Sequence, residues 1–301
     1  MTFGASPQRQ STSRRLVTYA LIVVGLGLTA YAVGERLPGH SHTTAAESAD
    51  GHEHDTHSDD SADHGDGMSH DHGGGGHPVS LVDAAVTSGG YELVEVSRDG
   101  TSAEFALRDR SGGEVTDFEW VHGAYLHVVM VTPDLTRFEH VHPEIADDGT
   151  WRVTAPDNAE WHVVFESTPA GSASPVIVAS HFDGEPANAA LPTRSSTARV
   201  STADGTELVV DLRSTDSGMQ FTVTTAEGSP AQGLEAYLEQ PAHLVAFRVD
   251  DLSYVHLHPT SDIGDPVITY DGALPTGTTY RLFLQFAVDG EVLTVPYTFV
   301  A

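Results

Sequence analysis

The sequence predicts an all-β protein in which two tandem β-sandwiches follow an N-terminal transmembrane helix and a disordered tail rich in histidine and aspartate. Three observations support this: an apolar run near the N-terminus, a low-complexity segment after it, and short alternating strands in the remainder of the 301 residues. The predicted segments are a cytoplasmic N-terminus and anchor (1–36), a disordered tail (37–89), repeat 1 (90–185), a linker (186–199) and repeat 2 (200–301).

The N-terminal segment has the charge pattern of a membrane anchor. Arg9, Arg14 and Arg15 precede an uncharged, largely apolar run of nineteen residues, Leu16 to Gly34, which at about 1.5 Å per residue just crosses a hydrocarbon core of about 30 Å. The run ends in TAYAVG, a small-residue pattern that signal peptidase reads, so a cleaved secretory signal is the alternative. Because arginines stay in the cytoplasm, we expect a single-pass protein of the cytoplasmic membrane with residues 37–301 outside, or a secreted protein if the signal is cleaved.

Residues 40–77 form a low-complexity segment with nine of the eighteen histidines, nine carboxylates and no basic residue. Such a segment cannot bury a core, which predicts a disordered spacer. Imidazoles on a flexible acidic chain suit Cu(II), Zn(II) or Ni(II), so we expect metal binding in addition, with compositional bias as the alternative. The candidate tail ligands are His40, His42, His52, His54, His57, His64, His70, His72 and His77.

Composition excludes several classes of function. The formal net charge is -29, from 14 basic and 43 acidic residues, so the chain repels phosphate backbones and nucleic-acid binding is excluded. The chain contains no cysteine, which excludes disulfides, thiolate metal ligands and a cysteine nucleophile. Any metal ion must therefore be held by histidine, carboxylate or methionine.

From Gly90 onward, short alternating segments are separated by turn sequences such as RDG, SGG, DDG and PAG. The predicted strands of repeat 1 are YELVEV, AEFALRD, LHVVMV, TWRV, EWHVVFE and PVIVASHF. Those of repeat 2 are TELVVDL, MQFTVTT, HLVAFRV, VITY, YRLFLQF and LTVPYTF. These segments show no helical periodicity, and a succession of short alternating strands separated by turns is typical of a β-sandwich.

The two repeats are copies of each other, offset by 116 residues. The equivalent pairs are Phe105 and Phe221, His127 and His243, Val129 and Val245, Asp134 and Asp250, Phe138 and Tyr254, His140 and His256, His142 and His258, and Pro143 and Pro259. Seven of these eight pairs keep the residue type, which indicates an internal duplication. The duplicated motif is H-x12-H-x-H-P.

The motif histidines are candidate metal ligands. Strand alternation places His140 and His142 on one face, and His127 supplies a third imidazole if its strand pairs beside theirs. Three imidazoles suit Zn(II) or a type 2 Cu(II). His127 shares its strand face with Val129 and Val131, so buried histidines with a purely structural role are the alternative. The equivalent candidates in repeat 2 are His243, His256 and His258.

Three other histidines belong to repeat 1 alone. His122, His162 and His181 align with residues of other types in repeat 2 once small gaps are allowed. The duplicated framework does not require them, so they are predicted to be surface residues rather than ligands.

The segments HVVMVTPDLTRFEHVHPE and HLVAFRVDDLSYVHLHP resemble a group of bacterial exported or membrane-anchored immunoglobulin-like proteins, often described as heavy-metal-binding or copper-associated. The resemblance covers residues 90–301 through the pattern D-L-x-x-F-x-H-x-H-P. It implies two tandem immunoglobulin-like β-sandwiches and a metal connection through the three motif histidines of repeat 1. In repeat 2, Asp251 shifts the D-L step by one and Thr260 replaces Glu144. These departures weaken the expectation of metal binding by repeat 2.

These observations predict a membrane-anchored extracytoplasmic protein that holds, buffers or delivers copper or zinc, without catalytic residues. One alternative is a tandem immunoglobulin-like adhesion or assembly module with structural histidines. A second is a zinc hydrolase or hydratase, which needs an open coordination position and a placed base. The expected partners are a metal ion, the membrane and an unidentified extracytoplasmic protein.

Overall fold

The computed structural model of the protein describes residues 87–301, which consist of β-strands and connecting loops without an α-helix. All of these residues fall within a single compact unit of the chain. The predicted anchor, Leu16–Gly34, and residues 37–86 of the predicted tail lie outside the described residues. The sequence predicts that the tail extends to residue 89, but Thr87 and Ser88 form a strand paired with Glu92 and Tyr91. Within the described range, no helix has the length and apolar character needed to cross a membrane.

Repeat 1 is a sandwich of two four-stranded antiparallel sheets. Its strands are β1 (Thr87–Ser88), β2 (Tyr91–Asp99), β3 (Ser102–Arg108), β4 (Leu126–Val131), β5 (Phe138–Val141), β6 (Trp151–Thr154), β7 (Trp161–Ser167) and β8 (Val176–Phe182). The strand orders are β1-β2-β3-β6 and β5-β4-β7-β8. Alternating burial along the strands explains why these residues form a sandwich. In β6, Trp151 and Val153 are buried while the residues between and after them are exposed, as expected for a strand covered on one face.

Repeat 2 has the same architecture. Its strands are β9 (Thr197–Ser201), β10 (Glu207–Ser214), β11 (Gly218–Thr225), β12 (Leu234–Glu235), β13 (His243–Arg248), β14 (Tyr254–Leu257), β15 (Val267–Asp271), β16 (Thr279–Val288) and β17 (Glu291–Val300). One sheet has the order β15-β11-β10-β9, and the other has the order β12-β16-β13-β14, with β17 also paired to β16. Strand β9 begins within the segment that the sequence assigns to the linker.

The strand pairing of the two repeats agrees in register as well as in order. In the pairing of β4 with β7, His127 lies opposite Glu166, and in the equivalent pairing of β13 with β16, His243 lies opposite Gln285. The all-β sandwich prediction and the predicted duplication are therefore confirmed. The shared register places an oxygen-bearing side chain beside the first motif histidine in each repeat.

A third apolar core lies between the two repeats, in addition to the core inside each sandwich. Strand β4 is buried along its whole length, because Val128 and Met130 face the core of repeat 1 whereas Val129 and Val131 face repeat 2. The buried members of this core are Val129, Val131, Leu135, Val164, Val245, Phe247, Tyr254 and Phe283. Strand alternation extends the same face to His127. The motif histidine thus lies at the end of the apolar interface between the repeats.

Candidate metal centre

The six motif histidines form one cluster at this interface, although the two motifs are 116 residues apart. The rings of His127 and His243 are stacked, with centroids 5.4 Å apart and an interplanar angle of 18°. The centroid of the His243 ring also lies 4.9 Å from that of His140 and 4.0 Å from that of His256. The sequence predicts two separate copies of a site. The structure joins them because the histidine-bearing face of each repeat is the face that packs on the other repeat.

The three motif histidines of repeat 1 have the geometry of a metal site. His127 Nδ1 lies 3.2 Å from His140 Nε2 and 3.2 Å from His142 Nε2. The ligand atoms of the three rings all lie within 4.8 Å of one another. In residues 87–301, no other set of three or more histidine, aspartate or glutamate side chains meets this condition. Two nitrogens bound tetrahedrally at about 2.0–2.1 Å from one ion are about 3.3–3.4 Å apart. Glu144, which adjoins the motif, is exposed and does not belong to this group.

The outer nitrogen of two of these rings is committed to an oxygen acceptor. His127 Nε2 donates to the carbonyl oxygen of Val121 at 3.1 Å. His140 Nδ1 donates to Gln285 Oε1 at 2.8 Å, while Gln285 Nε2 donates to Thr294 Oγ1 at 3.1 Å. A neutral imidazole has a single N–H, so the inner nitrogens of these two rings both carry lone pairs.

Two lone pairs therefore face each other across the 3.2 Å between His127 Nδ1 and His140 Nε2. An N–H of His142 can satisfy only one of them, and the other then remains unpaired in a buried setting. An unpaired buried polar atom costs about 1–3 kcal/mol. A cation between the rings removes this cost, because each lone pair then becomes a ligand.

Burial keeps these rings neutral. It lowers the pKa of His140 to about 3, with the neighbouring His142 ring as the next cause. Burial also lowers the pKa of His142 to about 4, and the nearby His127 ring lowers it further. The pKa of His127 is likewise lowered by burial. At neutral pH the three rings are therefore uncharged, and a metal ion does not have to compete with an imidazolium proton.

The second motif makes a different set of contacts. His256 Nδ1 lies 3.2 Å from a carboxylate oxygen of Glu166, which comes from repeat 1, and the hydroxyl of Tyr254 donates to the same carboxylate at 2.9 Å. Burial raises the pKa of Glu166, but the charge and hydrogen bond of His256 and the hydrogen bond of Tyr254 outweigh burial and hold the pKa at about 2. The contact mirrors that of His140 with Gln285, because each repeat supplies the oxygen partner for a histidine of the other.

His243 is the least satisfied member of the cluster. Its side chain is 2% exposed, and neither ring nitrogen has a hydrogen-bond partner among the described residues. Burial, followed by the charge of His256, lowers its pKa well below the usual value. The equivalent ring of repeat 1, His127, donates to a carbonyl, so the two copies of the motif have diverged in their contacts although the sequence is kept.

The histidines that are unique to repeat 1 do not behave alike. His122 lies against the second motif, with its ring centroid 4.5 Å from that of His258, and His162 Nε2 is buried near Phe247 of repeat 2. The prediction of a surface position is wrong for these two residues because repeat 2 covers that side of repeat 1. It is confirmed for His181, whose side chain is 68% exposed.

Sequence reasoning missed Glu166 and Gln285. Both lie outside the motif and differ in type, so comparison of the repeats does not mark them. The signal that finds them is the strand register, in which each lies opposite the first motif histidine of its own repeat.

A small cavity adjoins the cluster. Its volume is about 30 Å³, and its walls include His122, His127 and Glu166 from repeat 1 and His258 from repeat 2. The exposed ring of Tyr125 also lines it. This histidine cavity therefore adjoins both the buried rings of the cluster and the exposed side chains at the edge of the interface between the repeats.

Comparison with known families gives a match to the model of a domain of unknown function, DUF8832, at residues 85–175 and 201–301. The two matches fall on the two repeats. The chain has no significant match among curated protein sequences.

Among solved structures, a segment of two fibronectin type III domains from chicken tenascin matches with 9% sequence identity and a TM-score of 0.21, over 70% of this chain and 98% of that chain. The FN1–FN3 domains of chicken CNTN1 match with 8% identity and a TM-score of 0.19, over 72% of this chain and 69% of that chain. TM-scores this low do not establish a shared fold, so the architecture rests on the strand topology described above.

Proposed function

The chain belongs to the DUF8832 family of domains of unknown function, and we propose that it is an extracytoplasmic protein that holds Cu(II) or Zn(II) in a site built from His127, His140 and His142. The observation that carries this proposal is the pair of opposed lone pairs on His127 Nδ1 and His140 Nε2. In this proposal, the predicted anchor, Leu16–Gly34, keeps the two repeats at the membrane. The histidine-rich tail raises the local concentration of metal ions beside them.

The donor set suits this role. Three neutral imidazoles are ligands for both Zn(II) and Cu(II). The carbonyl of Val121 and the amide of Gln285 act as outer partners that orient two of the rings, which is the usual arrangement around metal-binding histidine. Because Gln285 comes from repeat 2, docking of the two repeats preorganises a site whose ligands all come from repeat 1.

The size of the histidine cavity favours a metal holder over a zinc hydrolase. At about 30 Å³ it has room for one or two water molecules. Small-molecule sites usually enclose about 300–1,000 Å³. The space beside His127 therefore suits a water ligand or an exchanging metal ion better than an organic substrate.

The test uses the full chain with all nine tail histidines replaced by asparagine, so that only the repeats bind metal. Replacing His140→Ala together with His142→Ala removes two of three ligands, and we expect Zn(II) affinity to fall by more than about 100-fold, since loss of an outer partner alone costs about 10–100-fold. Titration calorimetry measures the change, with exposed His181→Ala as the matched control. Unchanged affinity with a lowered melting temperature would identify these histidines as packing residues.

Gln285 gives a second prediction for the same site. Gln285→Met keeps the side-chain length but removes the acceptor of the His140 Nδ1–H, so we expect metal affinity to fall by about 10–100-fold. Gln285→Glu restores an acceptor and should recover the affinity. The control is Gln232→Met, at an exposed position away from the cluster. Equal affinities for the methionine and glutamate variants would show that Gln285 does not orient His140.

A further inference from the structure

The histidine cavity is itself a candidate cation site. Its walls carry three imidazoles, His122, His127 and His258, and the carboxylate of Glu166, and His122 and His258 are not ligands of the first site. The rings of His122 and His258 are tilted toward each other by 39°, with centroids 4.5 Å apart. The volume of about 30 Å³ is enough for one metal ion with a water ligand.

The Glu166 carboxylate is held in place by two groups that do not line the cavity. His256 Nδ1 and the Tyr254 hydroxyl both contact the Glu166 carboxylate, whose side chain is 12% exposed. A carboxylate has about four lone-pair positions, and these two partners leave some of them free. Glu166 therefore brings a fixed negative charge to the cavity, which an adjacent divalent cation would neutralise.

The position of His122 is set by the close approach of two equivalent loops. Its backbone has a φ of 49°, and the following residue, Gly123, has a φ of 72°. A Cβ on Gly123 would lie 3.0 Å from the Cα of Leu238, which is the repeat 2 equivalent of His122. The loop thus brings His122 to the second motif, whereas the equivalent loop brings an apolar side chain.

This asymmetry explains the different contacts of the two motifs. In repeat 1, His142 reaches its own first histidine, His127. In repeat 2, the equivalent His258 lies beside His122 of the other repeat instead. The carboxylate beside the second motif comes from across the interface, because Glu166 of repeat 1 contacts His256.

We propose that a second divalent transition-metal ion binds in the histidine cavity, with His122, His258 and Glu166 as its ligands and His256 as the residue that orients the carboxylate. Two imidazoles and one carboxylate form a donor set that Zn(II) accepts, with water as a fourth ligand. The site is built from both repeats and does not use the two ligands His140 and His142 of the first site. It goes beyond the proposed function, and either site can exist without the other.

The second site is the weaker and more exchangeable of the two. Its ligand atoms are more widely spaced than those of the first site, which alone has all its ligand atoms within 4.8 Å among the described residues. The ion must therefore draw His122, His258 and Glu166 together, at a cost in affinity. His258 is exposed, which gives a metal ion a route between the solvent and the interface.

Zn(II) titration of the full chain with the tail histidines replaced by asparagine tests the proposal. We expect two bound ions in this parent protein and one, with the affinity of the first site unchanged, after His122→Ala together with His258→Ala. Glu166→Gln keeps the size and an acceptor for Tyr254 but removes the charge, so it should weaken the second ion by at least about 10-fold. The matched control is His181→Ala, and melting temperatures verify that each variant folds.

The outcomes separate the two sites. Two ions with unchanged affinities in the His122 and His258 double variant would overturn the second site. A single ion in the parent protein that is lost with His140 and His142 also overturns it and leaves the first site intact. A single ion that is lost only with His122 and His258 supports the second site and overturns the first.

Discussion

Lowering the pH from 7 to 5 is expected to destabilise the metal-free protein by about 4 kcal/mol through His140 and His142 alone. The folded-state pKa values are about 3 and about 4, below the ordinary value of 6.5. Between these values the unfolded chain binds more protons than the folded chain. The stabilising contribution is therefore complete above pH 6.5 and is lost as the pH falls toward 3, with each ring accounting for about 2 kcal/mol at pH 5.

Urea unfolding in the presence of a chelator measures this effect. Tryptophan fluorescence reports on repeat 1, where Trp151 and Trp161 are buried. Replacing His140 and His142 by asparagine should reduce the loss of stability between pH 7 and 5 by about 4 kcal/mol, whereas His181→Asn, at a 68% exposed side chain, should leave it unchanged. Equal pH dependence in all three proteins would show that the two rings are protonated as easily in the folded state as in the unfolded state.

Phe247→Ala is expected to lower the free energy of unfolding by about 3–5 kcal/mol, the usual range for a buried phenylalanine. The Phe247 side chain is fully buried in the core between the repeats, with ring centroids 5.3 Å from Tyr254 and 6.5 Å from Phe283. Because this core holds Gln285 against His140, we also expect the variant to weaken metal binding. Differential scanning calorimetry measures the stability, and loss of the interface should separate the unfolding of the repeats.

Two matched variants distinguish the interface from the rest of the fold. Phe221→Ala removes an equally buried ring from the core of repeat 2 and should destabilise that repeat without uncoupling it from repeat 1. Val292→Ala, at a side chain that is 45% exposed, should change stability by less than about 0.5 kcal/mol. A loss below about 1 kcal/mol for Phe247→Ala would be too small for a ring that is fully buried between the repeats.

Strand alternation made the fold predictable. The segment LHVVMV coincides with β4, and EWHVVFE matches β7 to within one residue at each end, because a strand that is covered on one or both faces leaves a pattern of period two or a continuous apolar run. The short strands β1 and β12 were not predicted, since two residues carry no period. The start of β9 at Thr197 lies in a polar segment that resembles a linker because the strand is only partly covered.

The candidate ligands were predictable to a lesser extent. The duplicated spacing marks His127, His140 and His142, since these positions keep their residue type while their neighbours diverge. Glu166 and Gln285 carry no such mark, and His122 has no histidine equivalent. Their positions in the cluster depend on the packing of one repeat on the other. A comparison of the two repeat sequences treats the repeats as independent copies and therefore does not reveal this packing.

The sequence by itself determined that this protein contains a duplicated all-β sandwich and which histidines belong to the duplicated motif, because local alternation and spacing are properties of consecutive residues. Only the tertiary structure decided that the two motifs meet. The apolar residues beside them, such as Val129 and Phe247, bury their surface against the other repeat rather than against their own. That burial brings Gln285 to His140 across 145 residues of chain and Glu166 to His256 across 90 residues, through long-range packing that no local pattern records.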